Sequence, residues 1–436
     1  MNPLSYVYRP SSAALTPAYA STAVTILLAA FIASVFVSTA LTNILAGLVC
    51  IAAIICWVSD KPWHLLRHPL IIACLAFVGW AVLREVGAGA SPRQMLATVD
   101  QLRVLLFVPL WAPLFVLQRH SNVVIRTVMG VLAAYAIFAL ALLAFTGHVP
   151  YISVHPLLHQ ELGGPQAWQL IVATLVSKSA EIASPVYVAA VFGALQHALD
   201  HPKWRRWLLV FALLLTAALL LASVRRQTQL GFGLCLLVFA WVNRHQLSRG
   251  ALAGIAIALV LAAPWVSMTP AASGLLRVVD ATAKFLHAPA DRTQAVEVST
   301  SEGQRLRLWD NALPAIQQHP IAGTAVSRYK DHYLATISEA LHGVTQTANP
   351  HNEYLFFWGS LGLIGLLLYL AIPWAGWAAA AGDPFRQRVL LYYLVAMFNA
   401  MAVNSLVIDM VAAHAHALVF LALAMPLAKR GTGTQA

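Results

Sequence analysis

Charged side chains are scarce in this sequence. Asp, Glu, Lys and Arg make up 10% of its 436 residues, whereas hydrophobic residues make up 60%. Soluble domains carry about 25% charged residues, so this composition excludes a water-soluble globular protein. A mean hydropathy of +0.73 agrees with an integral membrane protein. Because lipid offers backbone groups no hydrogen-bond partners, long apolar runs in such a chain predict transmembrane helices.

Cysteine and acidic residues are also few. The sequence has four cysteines, all inside apolar runs, at Cys50, Cys56, Cys74 and Cys235. This placement predicts buried apolar side chains, without a disulfide framework or a metal-binding spacing. Asp and Glu number 16 against 27 Lys and Arg, which gives a net charge of +11. The basic excess fits anionic headgroups or a phosphate-bearing substrate, so we expect membrane lipid around the protein and no nucleic-acid partner.

Twelve apolar runs have lengths suited to crossing a bilayer, whose hydrocarbon core takes about 20 residues of helix. They lie near residues 16–38, 41–58, 69–86, 103–118, 123–146, 182–199, 206–222, 228–243, 250–267, 354–379, 388–406 and 410–427. We therefore expect an all-α polytopic membrane protein with about 12 transmembrane helices. The predicted division is helices 1–9 over residues 1–267, a large polar loop over 268–351, and helices 10–12 with a short tail over 352–436.

The distribution of Lys and Arg predicts the orientation. Fourteen of the 27 basic residues lie at one set of helix ends, and six lie in the short connections at the other set. The remaining seven fall in the long loop, which the positive-inside rule does not count. Both termini are therefore expected in the cytoplasm of a bacterial inner-membrane protein, and the long loop in the periplasm.

The long loop contains one helical pattern. Four apolar residues follow each other at spacings of three, four and three, the period of an amphipathic helix: Leu306, Trp309, Leu313 and Ile316. Pro314 predicts a kink in this helix, and His319-Pro320 its end. Such a helix can lie over the membrane face as a lid or a wall.

Two adjacent arginines, Arg225 and Arg226, occupy the shortest connection on the periplasmic side. Positive charge is disfavoured there, so the pair needs an explanation. One explanation is that the side chains extend to lipid phosphates. The other, which we favour, is a clamp for a phosphorylated ligand, because guanidinium groups bind phosphate oxygens in a bidentate way. The same role is open to Arg84, Arg93 and Arg103, which lie on the same side.

A group transfer in the periplasm needs a donor activated in advance, because nucleotide sugars and ATP are not available there. Polyprenyl pyrophosphate is the usual membrane-borne activator, and its departure needs either a metal on carboxylates or a cationic clamp. The segments on the periplasmic side contain no DxD, no ExxH and no close carboxylate pair. We therefore expect arginines to stabilise the leaving group, with no metal and no cofactor.

His351 is the best placed of the 16 histidines to deprotonate an acceptor hydroxyl, since it ends the long loop at a helix entrance. The alternative is that it only caps this helix or bonds a loop carbonyl. Gly359, Gly362 and Gly365 follow three residues apart and predict a stripe for close packing between helices. This arrangement predicts that the chemistry takes place at the membrane surface, on the rim of the helix.

The segment from Ser301 to Gly365 resembles the O-antigen ligase/polymerase superfamily. The matching motifs are Arg305 with Trp309, His319-Pro320-Ile321-Ala322-Gly323, and His351-Asn352-Glu353-Tyr354-Leu355 with Gly362 and Gly365. The resemblance implies a GT-C-like glycosyltransferase architecture in which His351 is catalytic. It further implies that the donor pyrophosphate is held by Arg226, Arg225 and Arg305, with Asn352, Tyr354, Trp309 and His319 in supporting positions.

The resemblance also implies the substrates. A ligase of this superfamily moves O-antigen from undecaprenyl pyrophosphate to lipid A–core, whereas a polymerase extends repeat units on the same lipid. The layout of spans favours a ligase, with polymerase as the alternative. A transporter for the same lipid is ranked lower, because it would need polar residues along the middle of many spans, and these gather instead at the outer ends.

Overall fold

The computed structural model describes residues 18–35, 39–118, 120–146, 184–222, 226–250, 252–253, 301–335, 349–406 and 410–425. Within these ranges the regular structure is helical, and no strand occurs. The α-helices are α1 (Ala18–Val35), α2 (Thr39–Ser59), α3 (Pro69–Gly87), α4 (Pro92–Gln101), α5 (Arg103–Gln118), α6 (Ser121–Thr146), α7 (184–200), α8 (Arg205–Ala222), α9 (Arg226–Val242), α10 (Ser301–Gln318), α11 (Val326–Ala335), α12 (Glu353–Ala379), α13 (Pro384–Met401) and α14 (Met410–Ala424).

Several of these helices have the length and composition of membrane spans. Three described helices meet both criteria, Ala40–Ser59, Pro69–Gly87 and Glu353–Gly382, and the bent pair of α4 and α5 would make a fourth. Four shorter apolar helices occur at Thr22–Val35, Ser121–Ile137, Gln227–Val242 and Ala413–Ala424. The chain is thus a multi-pass helical membrane protein. The total of about 12 spans stays a prediction. The apolar run at 250–267 lies almost wholly outside the described residues.

The bundle is organised around α3, α12, α13 and α14. Helix α3 packs along α12, α9 packs along α13, and α14 contacts α5, α6 and α13. Large aromatic side chains fill the interior, among them the fully buried Trp111, Tyr392 and Tyr393. The cysteines carry free thiols, and Cys56, Cys74 and Cys235 are buried, as their apolar surroundings in the sequence predict.

Two short helices lie outside the twelve apolar runs of the sequence. The connection after α3 contains α4, whose N-terminus is closed by a capping box between Ser91 and Gln94. Helix α11 follows the segment from His319 to Gly323, which we call the His-Pro turn. Both helices are ten residues long and polar on average. Short helices of this kind depend on their caps and partners, and a search for long apolar runs does not identify them because they are polar on average.

Helix α10 is present where the apolar spacing predicts a helix, but its buried face differs from the predicted one. Of the four predicted residues, Ile316 is buried, Leu306 and Trp309 are half-buried, and Leu313 is 39% exposed. The other buried residues are Leu308, Ala312 and Ala315, together with Asn311. The helix packs against both α11 and α12. Small alanine side chains permit this close approach to two partners, which explains why the buried face does not follow the largest apolar residues.

Candidate functional site

Helix α12 is broken at Gly362, which has a non-helical backbone with φ 71° and ψ −176°. In a straight helix Glu353 and Tyr369 would lie about 24 Å apart along the axis. Instead, the Tyr369 hydroxyl donates to Glu353 Oε2 at 3.0 Å. The two segments on either side of Gly362 therefore fold toward each other, and the beginning of α12 lies beside its own second segment.

The His-Pro turn of the long loop occupies this break. Breaking a helix frees backbone groups that need new partners in an apolar environment. Those partners come from the turn and from α3: Leu363 N donates to Pro320 O at 2.9 Å, Ile364 N to Ile321 O at 3.2 Å, Thr324 N to Gly359 O at 3.0 Å, Ala325 N to Ser360 O at 2.8 Å, and Trp80 Nε1 to Leu361 O at 2.9 Å. The loop turn and the broken helix thus form one hydrogen-bonded unit.

The three glycines of α12 serve this unit, which corrects the prediction of a packing stripe between spans. A Cβ on Gly362 would lie 2.2 Å from the carbonyl oxygen of Ile321, and one on Gly359 would lie 2.5 Å from the ring of Tyr329. A Cβ on Gly365 would lie 2.2 Å from that of Leu361, in the first segment of the same helix. Close packing occurs as predicted, but it joins the loop to the helix and the two segments to each other.

Substituting Gly362 with alanine tests this arrangement. The left-handed backbone and the contact with Ile321 both oppose a side chain, so we expect a loss of about 1–3 kcal/mol in stability. Thermal unfolding in detergent measures the effect. Gly79→Ala in α3 is the matched control, because a Cβ there meets no atom within 4 Å. Equal unfolding temperatures for wild type and Gly362→Ala would contradict the tight contact at the break.

The residues before α12 form a hydrogen-bonded bend around His351. The backbone N–H of His351 donates to Asn349 Oδ1 at 2.9 Å, and the Ser405 hydroxyl donates to the same oxygen at 2.7 Å. Asn352 is the N-cap of α12, where its side chain accepts from Leu355 N at 3.1 Å. Because Asn352 performs the capping, the imidazole of His351 is not required for it. His351 has φ +49°, a left-handed conformation that is costly for a residue with a side chain.

Bonds to α13 fix the first turn of α12. Asn352 Nδ2 donates to Ala402 O at 2.9 Å, and the Tyr354 hydroxyl donates to Phe398 O at 3.0 Å. Since Glu353 contacts Tyr369, this turn lies about two helical turns along the second segment from the break. The His351 bend is therefore set back from the His-Pro turn.

The start of α9 approaches the same end of α13. Asn399 Nδ2 donates to Gln227 O at 2.6 Å, and Asn399 adjoins Phe398, which accepts from Tyr354. Arg226 is the first residue of α9, and Arg225 lies outside the described residues. The backbone of Arg226 and the His351 bend are thus brought to one end of one helix, which no sequence spacing reveals.

The other predicted site residues lie on α10 and on the His-Pro turn, which together with α11 we call the loop unit. Arg305 and Trp309 are half-buried on α10, a helix that packs against α12. His319 is exposed at the turn, with its ring 5.9 Å from that of His332. Since the turn sits at the break, His319 is separated from His351 by the first segment of α12. The structure therefore groups Asn352 and Tyr354 with His351, and places His319 apart from them.

An apolar cavity of about 80 Å³ lies among α5, the second segment of α12, α13 and α14. Its lining includes Tyr369, Phe398 and Met401, of which the first two bond Glu353 and Tyr354. In the part of the chain that the structure describes, no three His, Cys, Asp or Glu side chains are grouped as metal ligands. The first turn of α12, which follows the His351 bend, is thus bonded to two residues that line an apolar cavity.

Comparison with known families gives one match. A family model described as O-antigen ligase matches residues 209–370. This range includes Arg226, the loop unit and the broken helix with His351. No curated protein matches the chain.

Proposed function

Because residues 209–370 match a family model described as O-antigen ligase, we propose that the chain transfers an O-antigen polysaccharide from undecaprenyl pyrophosphate to a sugar hydroxyl of lipid A–core. The reaction takes place at the periplasmic face of the bacterial inner membrane. The apolar cavity supports a lipid-borne donor, because two of its lining residues, Tyr369 and Phe398, are bonded to the polar first turn of α12.

In the proposed reaction His351 takes the proton of the acceptor hydroxyl. The hydroxyl oxygen attacks the anomeric carbon of the donor sugar, and the bond from this carbon to the pyrophosphate oxygen breaks. Direct displacement inverts the anomeric configuration. The electron pair leaves with the pyrophosphate, whose growing charge Arg226, Arg225 and Arg305 stabilise. The enzyme needs no metal, because guanidinium groups supply the positive charge.

The observation that carries this proposal is the bend at His351. Strained backbone is retained where the surroundings fix it, and it is concentrated at functional sites. Here Asn349 holds the backbone N–H of His351 and Asn352 caps the helix, so neither task depends on the imidazole. The approach of the Arg226 helix to the same end of α13 supports a base and a phosphate clamp in one site.

Glycan analysis of a deletion strain tests the proposal and separates it from the polymerase alternative. A ligase mutant should accumulate long chains on undecaprenyl pyrophosphate and leave lipid A–core without them. A polymerase mutant would instead carry single repeat units on lipid A–core. Unchanged lipopolysaccharide would contradict both activities.

A further inference from the structure

The outer end of α3 holds the loop unit through three side chains, Trp80, Arg84 and Glu85, which we call the α3 clamp. Trp80 Nε1 donates to Leu361 O at 2.9 Å, at the break in α12. Arg84 Nη2 donates to Gly323 O at 2.8 Å, in the His-Pro turn. The guanidinium of Arg84 is thus engaged with the loop backbone, which argues against the phosphate-binding role that the sequence left open for it.

Glu85 is the residue of the α3 clamp whose contacts are hardest to replace. Its side chain is fully buried, at 0% exposure. Glu85 Oε1 accepts from Ser327 N at 2.9 Å and from the Thr98 hydroxyl at 2.9 Å, while Oε2 accepts from the Ser327 hydroxyl. A buried carboxylate without such donors would be strongly unfavourable.

These contacts make Glu85 a cap for α11 that comes from another helix. Helix α11 begins at Val326, directly after Ala325 with φ +77°. The first backbone N–H groups of a helix have no partner within it, and the helix dipole favours a negative charge at that end. Glu85 supplies both the acceptor and the charge, so it fixes where α11 begins relative to α3.

Helix α11 in turn orders the rest of the loop unit. The Tyr333 hydroxyl donates to Leu308 O at 3.1 Å and thereby joins α11 to α10, the helix that carries Arg305. Burial raises the pKa of Tyr333, so this phenol stays neutral and able to donate. The turn before α11 is bonded to α12, since Trp358 Nε1 donates to Pro320 O at 3.0 Å. A shift of α11 would therefore move α10 relative to α12.

We propose that Glu85 is a positioning residue for glycan transfer: by capping α11 it sets the place of Arg305 relative to the His351 bend, without touching either substrate. This inference rests on the proposed function. Displacements of about 1 Å can lower rates by about 10²-fold, because catalysis depends on near-attack geometry. Since the charge on the pyrophosphate grows in the transition state, misplacing Arg305 lowers kcat more than it raises the KM for the donor.

Purified full-length Glu85→Ala, Glu85→Gln and Asp100→Ala proteins test this proposal. Asp100→Ala is the matched control, because Asp100 lies on neighbouring α4 and pairs with Arg103 only three residues away. We expect Glu85→Ala to lower kcat at least tenfold with donor KM within about twofold. Glu85→Gln keeps an oxygen for Ser327 N and should recover most of kcat, and Asp100→Ala should equal wild type.

Hydrogen exchange of residues 319–335 supplies a readout that is independent of turnover. Glu85→Ala should lose amide protection at the start of α11, and Glu85→Gln should regain it. Lost protection with wild-type kcat would mean that the cap is only structural and would overturn the proposal, as would a glutamine variant as slow as alanine. Absence of transfer by wild-type protein would refute the proposed function instead, since the exchange measurement does not depend on it.

Discussion

Replacing His351 with alanine is expected to lower the transfer rate by about 10²–10⁴-fold, the usual contribution of a positioned general base. Donor affinity and folding should change little, because a base acts in the transition state and contributes little to binding the ground state. The bend itself should persist, since Asn349 holds the backbone N–H of this residue and Asn352 caps α12. Single-turnover transfer and donor binding measure the two effects separately.

His245→Ala is the control for this substitution, because His245 is exposed in the turn that follows α9, at the other end of that helix from Arg226. It should transfer glycan at the wild-type rate. Wild-type turnover by His351→Ala would remove His351 from the mechanism. Equal losses in both variants would indicate that the substitutions impair folding in general, which unfolding temperatures would reveal.

Replacing Arg226 with alanine is expected to reduce donor use at least tenfold, since charged hydrogen bonds contribute about 1.5–3 kcal/mol each. Arg226→Lys should also be clearly impaired, because lysine keeps the charge but loses the planar bidentate geometry. Protein levels should stay unchanged, because Arg226 is the first residue of α9 and its proposed role is in binding the donor. Transfer rates over a range of donor concentrations, with levels measured by immunoblot, check both expectations.

Arg225 provides the internal control for Arg226. Adjacent residues of a helix point about 100° apart, so the two side chains cannot make the same contact. Normal transfer by Arg226→Ala together with loss of transfer by Arg225→Ala would assign the clamp to Arg225. Normal transfer by both variants would show that the pair only anchors the chain to lipid.

Much of the helical framework follows from the sequence, because apolar runs and caps are local signals. Helices α2, α3 and α12 coincide with predicted apolar runs. Asn352 precedes the last of these runs and is an N-cap, a position that asparagine favours. The match of residues 209–370 to the O-antigen ligase family model also agrees with the resemblance seen in the sequence, since the motifs are contiguous stretches. Helices α4 and α11 were missed because both are short and polar and depend on caps, in α11 on Glu85 from a distant part of the chain.

The tertiary contacts of the site could not be predicted in the same way. Gly362 shows in the sequence only as a small residue, and its break is defined by a turn that precedes it by some forty positions. Ser405 and Asn399 carry no motif, yet they bind Asn349 and the start of α9. Such contacts arise from packing of distant elements, which leave no periodic signal in a single sequence.

The central claim is tested most directly by transfer with the purified protein in the presence of excess EDTA. Undecaprenyl-pyrophosphate-linked glycan and lipid A–core are supplied, and both the glycosylated lipid A–core and the released undecaprenyl pyrophosphate are quantified. The account predicts equal amounts of the two products, at the same rate with and without EDTA. Longer lipid-linked glycan with unmodified lipid A–core, or activity that EDTA abolishes and Mg²⁺ restores, would contradict it.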